Sequence, residues 1–394
     1  MIDIRTLDLL DFPPGARVFY RVDYNVPTHE TNGGTRITDA TRIEETLPTL
    51  RLLRERGASI IIASHLGRPK GKRSEKDSLQ PVRGKLAELT GLEVQWADEA
   101  VGLDTTPLGV GELLLVENLR FYAGEEKNDA DFAAELRKLA DYYVNDAFGA
   151  CHRAHASIDA LPRLFPKENT AGGLLLAKEL QFLQKVTNAS ERPFVALLGG
   201  AKIAGKIEPL EALVKLADKV LIGGGMANTF LAAQGIGMGG SLVDNDSIDV
   251  AKRILGSASN LILPSDLVVA DSLDAPSNVA TKNVGETFGA NDKAFDIGPA
   301  TVARYENELR GAKMVFWNGP MGVFEKEAFA KGTMAMARAV AEASALTVVG
   351  GGESVEAVKS SGFADRIDHI STGGGASLEF IAGEALPGVE VLRV

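Results

Sequence analysis

Short apolar runs of strand length alternate along this chain with segments in which apolar residues recur at helical spacing. Near-continuous apolar runs are typical of strands buried on both faces, and their alternation with helices is typical of a parallel sheet with crossover connections. Helical spacing is clearest over residues 42–56 and 129–140. The pattern therefore predicts an α/β protein with strands over residues 18–22, 59–63, 113–116, 142–144, 194–198, 219–222, 261–263, 314–317, 346–349 and 369–370.

An apolar-rich segment, AGGLLLAKELQFLQKV at residues 171–186, separates the strands of the first half from those of the second. The polar stretch TNASERP follows it, and a helix with such an exit is typical of a domain boundary. We predict two doubly wound, Rossmann-like parallel-sheet domains joined by this helix, with a cleft between them. The predicted bounds are 1–170 for the first domain and 187–379 for the second.

The composition indicates which binding partners and which cellular compartment are expected. The 42 Lys and Arg residues against 53 Asp and Glu residues give a formal charge of −11, so neither nucleic acid nor membrane is expected as a partner. The uncharged stretch 220–242 is long enough to span a membrane, but its glycines favour a strand, a turn and a buried helix. One cysteine, Cys151, cannot form an internal disulfide, and the acidic first residues do not resemble a signal peptide. We therefore expect a cytoplasmic protein.

Charged and polar residues follow the first-half strands, where ligands bind in doubly wound sheets. We call these positions, at 23–25, 64–68, 117–120 and 152–155, the arginine rim. Several guanidinium groups at one sheet edge suit a small, multiply charged anion. Each arginine could instead cap a helix or pair with a surface carboxylate, and Asp23 and Asn25 could form an Asx turn. The rim consists of Asp23, Tyr24, Asn25, Ser64, His65, Leu66, Gly67, Arg68, Glu117, Asn118, Leu119, Arg120, His152, Arg153 and His155.

Glycines follow the second-half strands. We call these positions, at 199–202, 223–225, 318–320, 350–353 and 372–375, the glycine rim. Glycine clusters after strands let backbone amides at helix N-termini approach phosphates closely, although turns also use glycine freely.

The segment GAKIAGKI at 200–207 has the glycine and lysine spacing of a P-loop, but Ile207 stands where Ser or Thr would bind magnesium. The spacing of Lys202 and Lys206 predicts one helical turn with both ammonium groups facing one anion. The alternative is that both lysines point into solvent. The sequence has no GxSxG, HExxH or cysteine ligand set, and Arg153 between His152 and His155 favours an anion over a metal.

Eight segments of the chain, taken together, are distinctive. They are RVDYNVP at 21–27, SHLGRP at 64–69, ENLRF at 117–121, FGACHRAHAS at 148–157, LLGGAKIAGKI at 197–207, FWNGPMGVFE at 316–325, GGGES at 350–354 and STGGGASLEF at 371–380. In this order they resemble the motifs of the phosphoglycerate kinase family, and the resemblance runs from Asp8 to Gly388. It implies reversible phosphoryl transfer between ATP and the carboxylate of 3-phosphoglycerate, with Mg²⁺, in a monomer whose tail at 380–394 packs on the first domain.

The resemblance also assigns residues to the two substrates. Arg42 is preferred to Arg36 because the family's arginine opens a segment RI, shortly before a proline and 23 positions before the histidine of SHLGRP. The implied 3-phosphoglycerate residues are Asp23, Tyr24, Asn25, Arg42, His65, Leu66, Gly67, Arg68, Arg120 and Arg153. The implied nucleotide residues are Lys202, Lys206, Gly224, Gly298, Asn318, Glu325, Gly350, Gly351, Gly352, Glu353 and Ser354, with Glu353 at the metal. Arg42, Lys206, Gly373, Gly374 and Gly375 are the implied catalytic residues.

Four positions depart from the family pattern. THETNGG at 28–34 is an expected loop insertion, and Glu353 replaces a usual Asp at the expected magnesium contact. Gly205 replaces an acidic residue, and Cys151 replaces a small nonpolar one, where we expect it to pack. A non-enzymatic two-domain binding protein remains the alternative function. A nucleotide-dependent dehydrogenase is weaker, since no strand is followed by GxGxxG with an acidic residue at the expected distance.

Overall fold

The computed structural model describes residues 3–31 and 34–394. They form two compact units, one of Met1–Gln181 with Ala385–Val394 and the other of Phe182–Glu384. None of the helices in these described ranges combines the length and the apolar character that a bilayer crossing requires.

The first unit is built on a six-stranded parallel sheet in the order β5-β6-β4-β1-β7-β8. The central strand β1 pairs with β4 and β7, so that Val18 lies beside Ile60 on one side and Tyr142 on the other. Strands β2 and β3 form a separate antiparallel hairpin. The strands are β1 (Arg17–Arg21), β2 (Thr28–Thr31), β3 (Gly34–Ile37), β4 (Ser59–Ala63), β5 (Val94–Ala97), β6 (Leu113–Val116), β7 (Tyr142–Asn145) and β8 (Thr170–Gly172).

Helices cover this sheet, and two of them correct the predicted bounds. The segment predicted as one helix over 42–56 is two, because the chain turns before Pro48, which lacks an N–H and lies in the first turn of α2. The joining helix begins at Leu174 and not at 171, since Ala171 and Gly172 extend the sheet as β8. The helices are α1 (Thr41–Glu44), α2 (Leu47–Glu55), α3 (Gln80–Thr90), α4 (Ala123–Glu126), α5 (Ala130–Arg137), α6 (Leu174–Thr187), which crosses into the second unit, and α14 (Pro387–Glu390).

The C-terminal segment forms backbone contacts within the first unit. The N–H of Gly388 donates to the carbonyl of Cys151 at 3.0 Å, and Arg5 N–H donates to Leu392 at 2.9 Å. Cys151 is buried, and a side chain at Gly388 would collide with its sulfur. Residues 380–382, which were predicted to belong to the tail, are instead the last turn of helix α13 (Gly375–Ala382).

The second unit contains a six-stranded parallel sheet in the order β11-β10-β9-β15-β16-β17. A three-stranded antiparallel sheet, β13-β12-β14, was not predicted. The strands are β9 (Phe194–Leu198), β10 (Lys219–Ile222), β11 (Leu261–Ile262), β12 (Asp266–Ala270), β13 (Val279–Asn283), β14 (Lys293–Ile297), β15 (Met314–Asn318), β16 (Leu346–Gly350) and β17 (His369–Ile370). The helices are α7 (Ile207–Leu216), α8 (Gly224–Ala233), α9 (Ile248–Ser257), α10 (Pro299–Arg310), α11 (Lys331–Glu342), α12 (Gly352–Ser361) and α13.

The predicted fold class, an α/β protein with two doubly wound parallel sheets, is confirmed. Every predicted strand is present, and its ends differ from the prediction by at most one residue. The expected loop insertion at 28–34 is largely the hairpin of β2 and β3, and its residues 32–33 lie outside the described residues.

Candidate functional site

The loops of the arginine rim meet because the carboxyl ends of parallel strands lie at one edge of a sheet. The Gly67 N–H donates to Asn25 Oδ1 at 2.9 Å, and Arg120 Nη1 donates to the Gly67 carbonyl at 2.8 Å. His65 Nε2 lies 3.8 Å from Asp23 Oδ1. Strands β1, β4 and β6 therefore bring together five of the predicted substrate residues.

Arg42 reaches the same rim from helix α1. Its Nη1 donates to Asp23 Oδ2 at 2.9 Å and to the Asn25 carbonyl at 3.3 Å. About a third of the Arg42 side chain is exposed (31%). Arg36, the other candidate for this position, lies exposed on the hairpin strand β3.

Two predicted substrate residues are buried in the core and help to hold the loops in place. Tyr24 is fully buried, and its hydroxyl shares a hydrogen bond with Thr46 at 2.9 Å. Leu66 is also buried, and its carbonyl accepts a hydrogen bond from Asn118 Nδ2 at 2.7 Å. The other two predicted residues, Arg68 and Arg153, are exposed.

The rim is strongly electropositive. Burial, and then the neighbouring Arg120 and Arg21, lower the pKa of His155 to about 3. Burial and Arg21 lower the pKa of Arg120 to about 10. Arg153 Nε donates to His152 Nε2 at 3.1 Å, so this histidine nitrogen accepts a hydrogen bond from a neighbouring cation. Cations held this close together suit an anionic ligand.

Arg21, which is not among the predicted site residues, lies at the end of β1 and is completely buried. Its Nε donates to Ser157 Oγ at 2.7 Å, and its Nη2 lies 3.2 Å from His65 Nδ1. A charged residue inside a predicted apolar strand was the available signal, because buried charges are almost always paired.

The glycine rim places several helix N-termini at the carboxyl edge of the second parallel sheet. Helices α8, α12 and α13 each begin within a glycine triplet, and Gly298 precedes α10. A Cβ at Gly224 would lie 2.8 Å from the Gly200 carbonyl oxygen, and one at Gly225 would lie 2.4 Å from that of Ala201. Side chains are therefore excluded where these loops cross, and backbone amides at a helix start can bind phosphate.

The lysines of this rim differ from the prediction. Residues 202–206 are not helical, because Gly205 adopts a left-handed conformation (φ +81°) and helix α7 begins only at Ile207. Lys202 is exposed, whereas Lys206 turns back and donates from Nζ to the Gly199 carbonyl at 2.9 Å. Burial lowers the pKa of Lys206, and the carboxylate of Glu353 opposes that shift.

A cavity of about 320 Å³ opens beside these loops. Of the predicted nucleotide residues, Gly224, Glu325 and Glu353 line it. Gly298 instead packs against the Asp266 carboxylate, and Ser354 Oγ accepts a hydrogen bond from the Gly319 N–H. The remaining lining residues are mostly apolar or glycine: Gly200, Ala201, Gly225, Asn228, Leu242, Leu267, Leu273, Ala294, Phe295, Asp296, Pro320, Met321, Gly322 and Val323.

Two other predicted positions lie at neighbouring strand ends. The Nδ2 of Asn318, at the end of β15, is buried without a hydrogen-bond partner among the described residues. It faces Gly351, where a Cβ would lie 2.8 Å away. In the last glycine triplet, Gly373 N–H donates to Ser371 Oγ at 3.1 Å, and Gly374 has a φ of +51°.

Similarity to known proteins identifies the family of the chain that carries these two rims. The family model for phosphoglycerate kinase matches residues 8–384. The chain belongs to the phosphoglycerate kinase family. It is 50% identical over 397 residues to a phosphoglycerate kinase of Desulforudis audaxviator, covering 99% of this chain and 98% of that one. It is 48% identical over 395 residues to that of Solibacter usitatus, covering 99% of both chains.

Solved phosphoglycerate kinases have the same fold. The structure from Coxiella burnetii has a TM-score of 0.88 at 37% identity and covers 99% of both chains. That from Pyrococcus horikoshii has a TM-score of 0.86 at 33% identity and covers 99% of this chain and 98% of the other. The chain is accordingly a transferase of glycolysis that moves a phosphoryl group between 1,3-bisphosphoglycerate with ADP and 3-phosphoglycerate with ATP. A non-enzymatic binding protein is not favoured.

Proposed function

We propose that the arginine rim binds 3-phosphoglycerate and that the glycine rim binds ATP or ADP. The observation that carries this assignment is the chemical segregation of the two rims. Guanidinium groups gather at one parallel sheet, whereas helix N-termini and an apolar cavity lie at the other. The proposed 3-phosphoglycerate residues are Asp23, Tyr24, Asn25, Arg42, His65, Leu66, Gly67, Arg68, Arg120 and Arg153.

The cavity of the second unit is the proposed site of the nucleotide base. Its walls of Leu242, Leu267 and Met321 offer apolar surface to a flat ring. The phosphates would lie toward the glycine amides and the lysines. The proposed nucleotide residues are Lys202, Lys206, Gly224, Gly298, Asn318, Glu325 and 350–354.

The transfer itself needs positioning and charge stabilisation more than proton transfer. The acceptor is a carboxylate, which is ionised near pH 7, so no general base is required. Arg42 and Lys206 would offset the negative charge that spreads over the moving phosphoryl oxygens. The amides of residues 373–375, at the start of α13, would donate to the same oxygens.

We propose that Mg²⁺ binds together with the nucleotide. No group of three or more metal-ligating side chains occurs among residues 3–31 and 34–394, and Glu353 supplies one carboxylate at the start of α12. This donor set suits Mg²⁺, which keeps several waters and binds through one or two carboxylates together with substrate phosphates. When bound, the ion would neutralise part of the charge of those phosphates.

The two substrates would bind to different domains, and transfer would then require the domains to close and exclude water. We retain two domains, the joining helix and a tail that packs on the first domain, with the observed ends of β8, α6 and α13 in place of the predicted bounds. We also propose that the protein is a monomer and is located in the cytoplasm.

A cavity-filling variant tests the assignment of the nucleotide. Leu242 is half-exposed (51%) and lines the cavity, so Leu242→Trp should block it without disturbing the core. In an assay of ATP formation and its reverse, we expect a raised KM for ATP and an unchanged KM for 3-phosphoglycerate. Leu164→Trp, at a similarly exposed site in the first unit, is the matched control and should change neither constant. A raised KM for 3-phosphoglycerate alone in Leu242→Trp would reverse the assignment.

A further inference from the structure

Arg21 and its partners form a completely buried network behind the arginine rim. Arg21 Nη2 lies 3.8 Å from Glu125 Oε1, and neither side chain is exposed. Glu125 also accepts hydrogen bonds from the Ser157 backbone N–H at 2.9 Å and from the Ser157 hydroxyl at 2.6 Å. Because Ser157 gives its hydroxyl proton to Glu125, its oxygen accepts from Arg21 Nε. The carboxylate thus balances the charge of the guanidinium and fixes its orientation.

This orientation directs one N–H of Arg21 at His65. Arg21 Nη2 lies 3.2 Å from His65 Nδ1. A guanidinium has only donors and stays protonated in proteins, so Nδ1 of His65 must be the acceptor. An imidazole nitrogen that accepts a hydrogen bond carries no proton. A neutral His65 must then carry its proton on Nε2.

The Nε2 atom of His65 is on the side of the ring that faces Asp23. It lies 3.8 Å from Asp23 Oδ1, beyond hydrogen-bond distance, among the loops that form the arginine rim. Its N–H is therefore available to an oxygen atom of a bound anion.

The surroundings of His65 also disfavour the imidazolium form. Burial lowers the pKa of His65 well below its ordinary value, and the nearby cations lower it further. The charged and titratable groups that face it are Arg21 and Asp23 from β1 and its following loop, Arg42 from α1, Arg120 from the turn after β6, and His155.

We propose that Arg21 is a positioning residue that holds His65 as the neutral imidazole protonated on Nε2, so that His65 gives the arginine rim a hydrogen-bond donor and not a further positive charge. The identity of the anion rests on the proposed function. The protonation state of the ring does not, because it follows from the Arg21 contact alone.

Nitrogen NMR of the full-length protein tests this directly. Long-range proton–nitrogen correlation on histidine-labelled enzyme distinguishes the three ring states, and a His65→Gln sample assigns the His65 signals. We expect an unprotonated Nδ1 and a protonated Nε2 from pH 6 to pH 8. An imidazolium, or a ring protonated on Nδ1, at pH 7 would overturn the proposal.

Two variants test whether Arg21 is the cause. Arg21→Lys removes the planar group that reaches Nδ1, and Ser157→Ala is a smaller change that removes the acceptor orienting Nε. In whichever variant keeps the wild-type circular dichroism, we expect His65 to become a mixture of both neutral tautomers. A pure Nε2–H tautomer in the variant or variants that keep the wild-type circular dichroism would show that Arg21 does not hold it.

Addition of 3-phosphoglycerate separates this proposal from the site assignment. If the assignment is correct, the ligand shifts the His65 Nε2 signal. The absence of a shift would count against the site while leaving the free-enzyme tautomer as measured.

Kinetics give a second readout. The glutamine amide in His65→Gln can place an N–H near the position of Nε2, whereas the shorter asparagine amide in His65→Asn places it near Nδ1. We expect His65→Asn to raise the KM for 3-phosphoglycerate about 10- to 100-fold and His65→Gln to raise it much less. Equal effects of the two variants would contradict the role of an Nε2 donor.

Discussion

Arg42 donates a hydrogen bond from Nη1 to Oδ2 of Asp23 at 2.9 Å, which joins helix α1 to the loop that follows strand β1. The contact uses one edge of the guanidinium and leaves the side chain partly exposed. Arg42 is thus held at the arginine rim by a carboxylate, with about a third of its side chain exposed.

This geometry gives the first prediction. Arg42→Ala should lower kcat about 10²- to 10³-fold and change the KM for ATP little, because a charge contact to the moving phosphoryl group acts mainly in the transition state. Arg36→Ala, on the exposed hairpin, is the control and should have nearly wild-type kinetics. If Arg36→Ala is the damaging change, then Arg36, and not Arg42, corresponds to the family's arginine.

The second prediction separates the two lysines of the glycine rim. Lys206 is tied to the Gly199 carbonyl beside the glycine loops, so Lys206→Ala should depress kcat. Lys202 is exposed, and Lys202→Ala should also raise the KM for ATP if its ammonium group binds phosphate. Lys215→Ala, at the exposed end of α7, is the control. Steady-state kinetics that are unchanged in both lysine variants would show that neither ammonium group contributes to binding the nucleotide phosphates.

The third prediction concerns Asp296, a buried carboxyl at the cavity wall whose pKa is raised to about 7 by burial. The folded protein holds this proton more tightly than the unfolded chain, where Asp titrates near pH ~4. The contribution of Asp296 to stability is therefore complete below that pH and is lost as pH rises through about 7. Its size is on the order of a few kcal/mol.

As pH rises from 5 to 8, the free energy of unfolding should therefore fall less in Asp296→Asn than in the wild type. Urea unfolding followed by the fluorescence of Trp317, which is buried in the same unit, measures this difference. Asp104→Asn is the control, because that carboxyl is exposed and its pKa is lowered by hydrogen bonds from Thr106. A variant whose stability falls with pH as steeply as that of the wild type would show that Asp296 does not titrate in this range.

The fold was largely predictable because buried parallel strands leave a simple signal. Ile60, Ile61 and Ile62 form an uninterrupted apolar run, and their strand was predicted with its observed bounds. The apolar run at 267–270 in β12 was missed although it carries this signal, whereas two other missed strands lack it. The antiparallel strand β13 is mostly exposed, and the edge strand β8 has only three residues, so neither forms an apolar run.

The candidate site was predictable as a set of loops but not as a set of contacts. Strand ends located His65 and Asp23, because parallel strands place such loops together. The turn at Lys202 and Lys206 was predicted wrongly, since the spacing suits a helix but Gly205 adopts a left-handed conformation. Arg21 was missed because its partner Glu125 is 104 positions away in the chain, and no local pattern indicates a pairing of that kind.

The fourth prediction concerns domain closure. If each substrate binds its own domain and both must meet for transfer, closure requires binding energy from both ligands. Small-angle scattering of the full chain should then give a smaller radius of gyration with 3-phosphoglycerate and a non-hydrolysable ATP analogue together than with either alone. An equally compact particle with the nucleotide alone would contradict the requirement for both ligands.

The central claim is that the arginine rim binds 3-phosphoglycerate and the glycine rim binds the nucleotide. Titration calorimetry of the full-length protein tests it most directly, with each ligand applied separately to Arg68→Ala and Lys202→Ala. Both side chains are exposed, so their removal should disturb little packing. We predict that Arg68→Ala weakens 3-phosphoglycerate binding about 10-fold or more and leaves ATP binding unchanged, and that Lys202→Ala does the reverse. Weakened ATP binding in Arg68→Ala, with 3-phosphoglycerate binding intact, would contradict the assignment of the two rims.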